Sequence, residues 1–311
     1  MPSLRSRLFL LLLEHRHLLR GKANARRAVT ADSSIPALRA RAARSIRLFG
    51  KLPKDVTTEA VCIGGRDALW LRPAGADPAR VLLYFHGGGY VMGDCRSHAA
   101  IAAKFARGSR SNTLVFDYRL APEHPFPAAV DDAVAAHDWL RGQGVAARNM
   151  VFAGDSAGGG LALATMLALK AAGGDLPAAG VVLSPWTDLS CSGASYVANL
   201  PRERLAPPGS WTTFAAHYLG KGDPRHPLAS PLFGDLAGLP PLLIHVGGDE
   251  VMRDDAAMFA EQARRAGVEV TLRVGQGLFH CYPVCAPLFP EASAALAECC
   301  AFIRAAIPRR R

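Results

Sequence analysis

One serine in the 311-residue chain sits among neighbours that suit it for nucleophilic chemistry. Gly154-Asp155-Ser156-Ala157-Gly158 follows the apolar run 150–153 and precedes a helical pattern over 158–172. In that setting G-x-S-x-G makes a tight strand-to-helix turn that pushes the hydroxyl out above a sheet. Glycine is needed on both flanks because a side chain would strike the adjoining strand or helix. The start of the following helix offers the Ala157 N–H and a positive dipole end to an oxygen gaining negative charge.

A serine hydroxyl is a weak nucleophile until a base takes its proton, so a histidine, itself oriented by a carboxylate, must follow. Two loops fit. The apolar run 242–246 ends in Gly247-Gly248-Asp249-Glu250, and the run 270–272 leads through Gly275-Gln276-Gly277 to His280. His280 is the expected base and Asp249 its expected carboxylate, with Glu250 in reserve; Asp254 and Asp255 read as first-turn helix residues favoured by the dipole. A third element, His86-Gly87-Gly88-Gly89-Tyr90, follows the run 81–85. Three successive glycines let backbone N–H groups turn into a cavity and converge with that of Ala157 on one oxyanion. A phosphate cradle would need the Lys-Ser/Thr of a P-loop or the spaced glycines of a dinucleotide fingerprint, and neither is present.

The runs 81–85, 113–116, 150–153, 181–183, 242–246 and 270–272 are short and nearly continuously apolar, as in strands covered on both faces. A further strand region covers 60–71. Helical patterns at 97–107, 128–141, 158–172, 254–266 and 288–307 alternate with them, which predicts a mostly parallel, doubly wound α/β sheet. Between Pro185 and Pro241 no clear strand is found; a helix over 210–218 and a proline-rich stretch mark an inserted segment, 186–233. Two helices open the chain, with apolar stripes Leu4, Leu8, Leu11, Leu12, His15, Leu18, Leu19 and then Ile35, Leu38, Ala42, Ile46, Phe49. Having little core of their own, these stripes are expected to lie on the body. The expected organisation is N-terminal cap helices over 1–54 and a catalytic domain over 55–311, interrupted by the inserted cap segment.

The net charge is +10, but residues 1–54 hold thirteen Lys or Arg against Glu14 and Asp32, while the remainder holds twenty-three basic against twenty-four acidic groups. Nucleic-acid binding is excluded because aromatic interleaving, zinc spacing and basic-region heptads are missing. A solvated helix face is the reading preferred over binding to an anionic surface. No apolar run reaches the length of a membrane span, the leucine run 8–13 is short for a signal core, and the expected location is the cytoplasm without stable membrane insertion. Seven cysteines form no C-x-x-C pair and point to reduced thiols; Cys281 beside His280 reads as packing rather than as a metal ligand.

The chain closely resembles the hormone-sensitive-lipase family (bacterial family IV) of α/β-hydrolase esterases. The likeness rests on His86-Gly-Gly-Gly-Tyr90, Asp117-Tyr-Arg-Leu-Ala-Pro-Glu-His-Pro-Phe-Pro127, Gly154-Asp-Ser-Ala-Gly-Gly159, Ser184-Pro-Trp-Thr-Asp188, Asp249 and His280, in family order. It implies an α/β-hydrolase fold with a helical cap, oxyanion donors at the N–H groups of Gly88, Gly89 and Ala157, Asp249 as the usual acid with a glutamate one place on in some members, and no metal or organic cofactor. It also implies hydrolysis of short- to medium-chain carboxylic esters. Cys281, where a small or apolar residue is expected, is a departure. Glu123 is expected to satisfy buried backbone, Asp94 and His98 to lie near the glycine loop, and Leu205, Trp211 and Phe214 to line the pocket. Rival readings are a non-catalytic small-molecule receptor on the same fold, like the plant gibberellin receptor, which lacks the histidine, and acyl transfer or amide cleavage by the same triad. The expected partner is a small-molecule ester, with a homodimer as a further expectation.

Overall fold

A computed structural model of the chain describes residues 2–14, 28–46 and 50–307. In chain order the elements are α1 (Leu4–Glu14), α2 (Ile35–Ile46), β1 (Val56–Ile63), β2 (Arg66–Pro73), β3 (Asp77–Phe85), α3 (Cys95–Ser109), β4 (Ser111–Phe116), α4 (Ala128–Gly142), β5 (Met150–Asp155), α5 (Ala157–Ala171) and β6 (Ala179–Leu183). After these come α6 (Ser195–Ala198), α7 (Ser210–Leu219), β7 (Leu242–Gly247), α8 (Arg253–Arg265), β8 (Val270–Gly275) and α9 (Pro290–Ala306).

The strands form one eight-stranded sheet in the order β1-β2-β4-β3-β5-β6-β7-β8. From β4 to β8 every neighbouring pair is parallel, whereas β1, β2 and β4 pair antiparallel. This is an α/β-hydrolase fold. The region expected as one strand over 60–71 is a hairpin instead: Gly64 and Gly65, both at positive φ, supply the two left-handed residues that a tight two-residue turn demands. The inner strands β5, β6 and β7 are buried along their whole length, as continuous apolar runs require. Strand β8 is only half-buried, contrary to the expectation for its run, because it lies at the sheet edge.

Two apolar layers cover the sheet. Ala129, Ala133, Leu161, Met166, Ala256 and Phe259, from α4, α5 and α8, pack on one face with Phe85 and Phe152. Ala102, Phe105, Cys299 and Ile303, from α3 and α9, pack on the other with Leu82, Tyr84 and Val151. Alanine-rich helices approach the sheet closely, and burial of this order is the main stabilising contribution to the fold.

Helix α1 corrects one expectation. Its inward side is Phe9, Leu10 and Leu13, packed among Phe279 and Phe289, whereas Leu4, Leu8, Leu11 and Leu12 are exposed. His15, Leu18, Leu19 and Phe49 of the expected stripes lie outside the described residues. Helix α2 is pinned through Arg39, whose guanidinium donates to the Val91 and Ala121 carbonyls at 2.8 and 3.0 Å and to both oxygens of Glu123 at 2.8 and 2.6 Å. Glu123 therefore forms an exposed ion pair and does not satisfy buried backbone.

Candidate active site

Ser156 stands between the last residue of β5 and the first of α5, at φ 56° and ψ −123°. A non-glycine residue in that region is strained, and it persists only where the surroundings over-determine it. They do so here. The Ser156 N–H donates to the Leu183 carbonyl at 2.8 Å, and its carbonyl accepts from Trp186 and Gly160, each at 3.1 Å. A Cβ at Gly158 would overlap the Phe85 carbonyl, and one at Gly154 the Gly158 carbonyl, so the flanking glycines are a steric requirement.

The histidine loop is fastened to Leu183, which also holds the serine turn, and to the next residue, Ser184. Ser184 Oγ accepts the Cys281 N–H at 2.9 Å, and Cys281 Sγ lies 3.6 Å from the Leu183 carbonyl. The Ser156 and His280 loops thus share one anchor, and both side chains are buried. His280 Nδ1 is 3.4 Å from Glu250 Oε1. Glu250 is wholly buried, and its Oε2 accepts from Ser184 Oγ at 2.8 Å and the Gly247 N–H at 3.1 Å. Each carboxylate oxygen is therefore spoken for, which is how a buried charge is tolerated.

Asp249, the expected carboxylate, is not the group beside His280. Its Oδ2 is 3.5 Å from Arg204 Nη1 in a partly exposed ion pair. The physical reason is backbone direction: the Asp249 N–H is held by the Leu278 carbonyl, and the next residue turns inward to meet Ser184 and Gly247. Burial by itself lowers the pKa of His280. The adjoining Cys281 sulfur and the Glu250 carboxylate outweigh it and hold the imidazole well above its ordinary value. Burial likewise pushes the Cys281 thiol up, and the adjoining His280 opposes that shift.

The glycine loop lies across the site. Gly88 and Gly89 are at φ 130° and 63°, and among the described residues no hydrogen bond engages either N–H. The N–H of Ala157, first residue of α5, lacks an intrahelical partner by construction. A Cβ on Gly89 would come within 2.7 Å of Phe214 in the inserted segment. The loop is held to the serine turn by Asp155, whose Oδ1 accepts from the Gly87 N–H at 3.2 Å and Tyr84 Oη at 2.8 Å. His86 beneath it stacks on Tyr118 at 4.1 Å and is pushed down to about 3 by burial and by neighbouring His98, so it stays neutral.

The remaining expected residues take several places. The Trp211 ring lies 5.2 Å from His280 and 5.6 Å from Trp186. Phe214 covers Gly89, while Leu205 packs in the layer that contains Leu10 and Phe279. Asp94 caps α3 in a capping box with Ser97 and is structural. Asp254 accepts from the Ser195 N–H at 2.8 Å. Asp255 is no exposed first-turn acid: it is buried and takes the Thr187 and Asp188 N–H groups at 3.0 and 2.9 Å. Three groups went unassigned in the sequence, Ser184, Asp155 and Tyr84. Ser184 carries a signal, its place directly after a central strand at the carboxyl edge of the sheet, where sites in open α/β sheets are built; Tyr84 resembles any buried strand aromatic.

A strained serine at a strand-to-helix turn, a buried histidine–carboxylate pair and a donor loop, all at one edge of a mostly parallel sheet, define the hydrolase class of this fold. Comparisons agree. A family model described as alpha/beta hydrolase fold matches residues 82–284. An acetyl-hydrolase of Streptomyces hygroscopicus is 45% identical over 266 residues, 85% of this chain and 87% of that protein. A crystal structure of an esterase from the bacterial hormone-sensitive lipase family superposes with a TM-score of 0.90 at 38% identity, covering 99% of this chain and all of the other. The esterase EstE5, solved after soaking with p-nitrophenyl butyrate, gives 0.90 at 36% identity over 98% of this chain and 99% of its own. The chain belongs to the bacterial hormone-sensitive-lipase family of α/β-hydrolase esterases.

Proposed function

We propose that this esterase is a serine carboxylesterase whose working groups are Ser156, His280 and Glu250, with the N–H groups of Gly88, Gly89 and Ala157 as oxyanion donors. Ser156 Oγ attacks the ester carbonyl carbon as His280 Nε2 takes its proton. The carbonyl oxygen becomes an oxyanion among the three N–H donors. The imidazolium, stabilised by Glu250 at Nδ1, returns the proton to the departing alcohol and leaves an acyl-serine; water, deprotonated by the same imidazole, then releases the acid. The reading is carried by the Glu250–His280 contact of 3.4 Å between two buried groups whose loops meet at Ser184, the residue after the Leu183 carbonyl that holds the serine turn.

Short acyl groups fit best. Trp211 and Trp186 form an aromatic wall immediately beside His280, and the relatives include a protein named acetyl-hydrolase. The residues 186–233 and the N-terminal helices are read as the cap over this site, since Trp211 and Phe214 reach the histidine and the glycine loop from the inserted segment. The test is labelling by a fluorophosphonate and hydrolysis of p-nitrophenyl acetate through decanoate. Wild type labels and turns over with a preference for acetate to butyrate, and Ser156→Ala does neither; equal labelling of the two proteins overturns the assignment, and a wild type that neither labels nor turns over returns the receptor reading.

A further inference from the structure

Helix α1 is apolar on two sides. Phe9 stacks 5.8 Å from Phe279 and 5.4 Å from Phe289, and Leu10 is buried with them. Turned away from the body, Leu4, Leu8, Leu11 and Leu12 are 80, 59, 52 and 51% exposed. At about 100° per residue these four fall within an arc of roughly 100°, with Arg5 along one border and Arg7 along the other. The helix is a fixed element: Glu291 accepts from the Ser3 N–H and Ser6 Oγ, each at 2.5 Å. A rigid ridge of four leucines in water opposes the hydrophobic effect unless something covers it, and solvated helix faces are not built this way.

Charge identifies the cover. Residues 1–27 carry seven Lys or Arg against the single acid Glu14. That excess opposes a second copy of the same ridge and favours a negatively charged partner, while Arg5 on the ridge border can reach a headgroup as the leucines enter the acyl boundary. We propose that α1 docks the protein in the plane of an anionic phospholipid surface, leucine ridge inward. Among the described residues no helix is long and apolar enough to cross a membrane, so the contact is peripheral. Because Phe9 touches Phe279, the residue before His280, docking sets the histidine loop next to the lipid boundary. The proposal is independent of the chemistry assigned to Ser156.

The experiment is flotation of the full chain with vesicles of phosphatidylcholine containing 30% phosphatidylglycerol, against pure phosphatidylcholine, at low and high salt. Binding to the anionic vesicles is expected, at least tenfold weaker on the neutral ones and in high salt. Leu8→Asp/Leu12→Asp is expected to abolish flotation with an unchanged melting temperature, and Arg5→Glu to weaken it severalfold. Should the aspartate pair lower the melting temperature, Leu8→Gln/Leu12→Gln replaces it and must weaken flotation at least tenfold. Wild type failing to float with anionic vesicles at low salt overturns the proposal, as does undiminished flotation of the leucine variants. So does a wild-type dimer in light scattering that the same variants split, since the ridge would then be a self-interface.

Discussion

Replacing Glu250 by Gln keeps shape and volume while deleting one charge at the histidine. The Glu250 carboxylate lies 3.4 Å from His280 Nδ1, and at an effective dielectric constant of about 20 that separation corresponds to about 5 kcal/mol between unit charges. Part of this charge interaction already raises the resting pKa; the part that stabilises the imidazolium formed during turnover falls on the barrier and predicts a loss in kcat of roughly 10² to 10³. The glutamine oxygen can still accept from Ser184 Oγ and the Gly247 N–H, which leaves its amide N–H pointing at a ring nitrogen that must itself donate. Asp249→Asn removes only a partly exposed partner of Arg204 at 3.5 Å, worth about 1 kcal/mol at most, and should cost less than about fivefold. The pH profile gives a second readout. The base must be neutral to act, and its pKa is held above the ordinary value, so the wild-type acid limb lies above about 6.5. Glu250→Gln removes an anion that stabilises the protonated ring, so burial prevails and the limb moves to lower pH. The assay is kcat and kcat/KM on p-nitrophenyl acetate across pH for both variants, with circular dichroism as a folding control. Equal damage from the two substitutions, or an acid limb that does not move in Glu250→Gln, refutes the reasoning.

Gly88→Ala should lower kcat at least a hundredfold and lower the melting temperature as well, because a Cβ there overlaps the Met92 carbonyl at a positive φ and displaces an oxyanion donor. Tyr84→Phe deletes the 2.8 Å hydrogen bond to Asp155; thermal unfolding should show a drop of a few degrees for about 2 kcal/mol, with kcat reduced as the Gly87 anchor loosens. Trp211→Ala opens the wall beside His280 and should raise activity on octanoate relative to acetate at least tenfold in a p-nitrophenyl ester series.

The places of the serine turn, the histidine loop and the glycine loop were legible because each is set by local sequence: a strand, a turn that admits only glycine at certain positions, a helix start. The parallel strands were equally plain, since burial on both faces writes itself as an unbroken apolar run. The carboxylate beside the histidine was not, because Asp249 and Glu250 are adjacent, chemically alike and on a loop; only the three-dimensional meeting with Ser184, Gly247 and His280 separates them. Helix α1 misled for a related reason. Its leucines recur with helical period on one side while Phe9, Leu10 and Leu13 occupy the other, and periodicity cannot say which apolar side the body takes. Strand β8 shows the same limit for edges, which follow from the order of strands and not from the composition of any one of them.

The Arg39 clamp sets a length below which the chain should cease to work. One guanidinium joins α2 to the carbonyls of Val91 and Ala121, and Ala121 in turn donates to the Tyr90 carbonyl at the end of the glycine loop. Progressive trimming from the amino end therefore meets a threshold: fragments that retain Arg39 keep the loop fastened, and those that begin beyond it leave several acceptors to water at once.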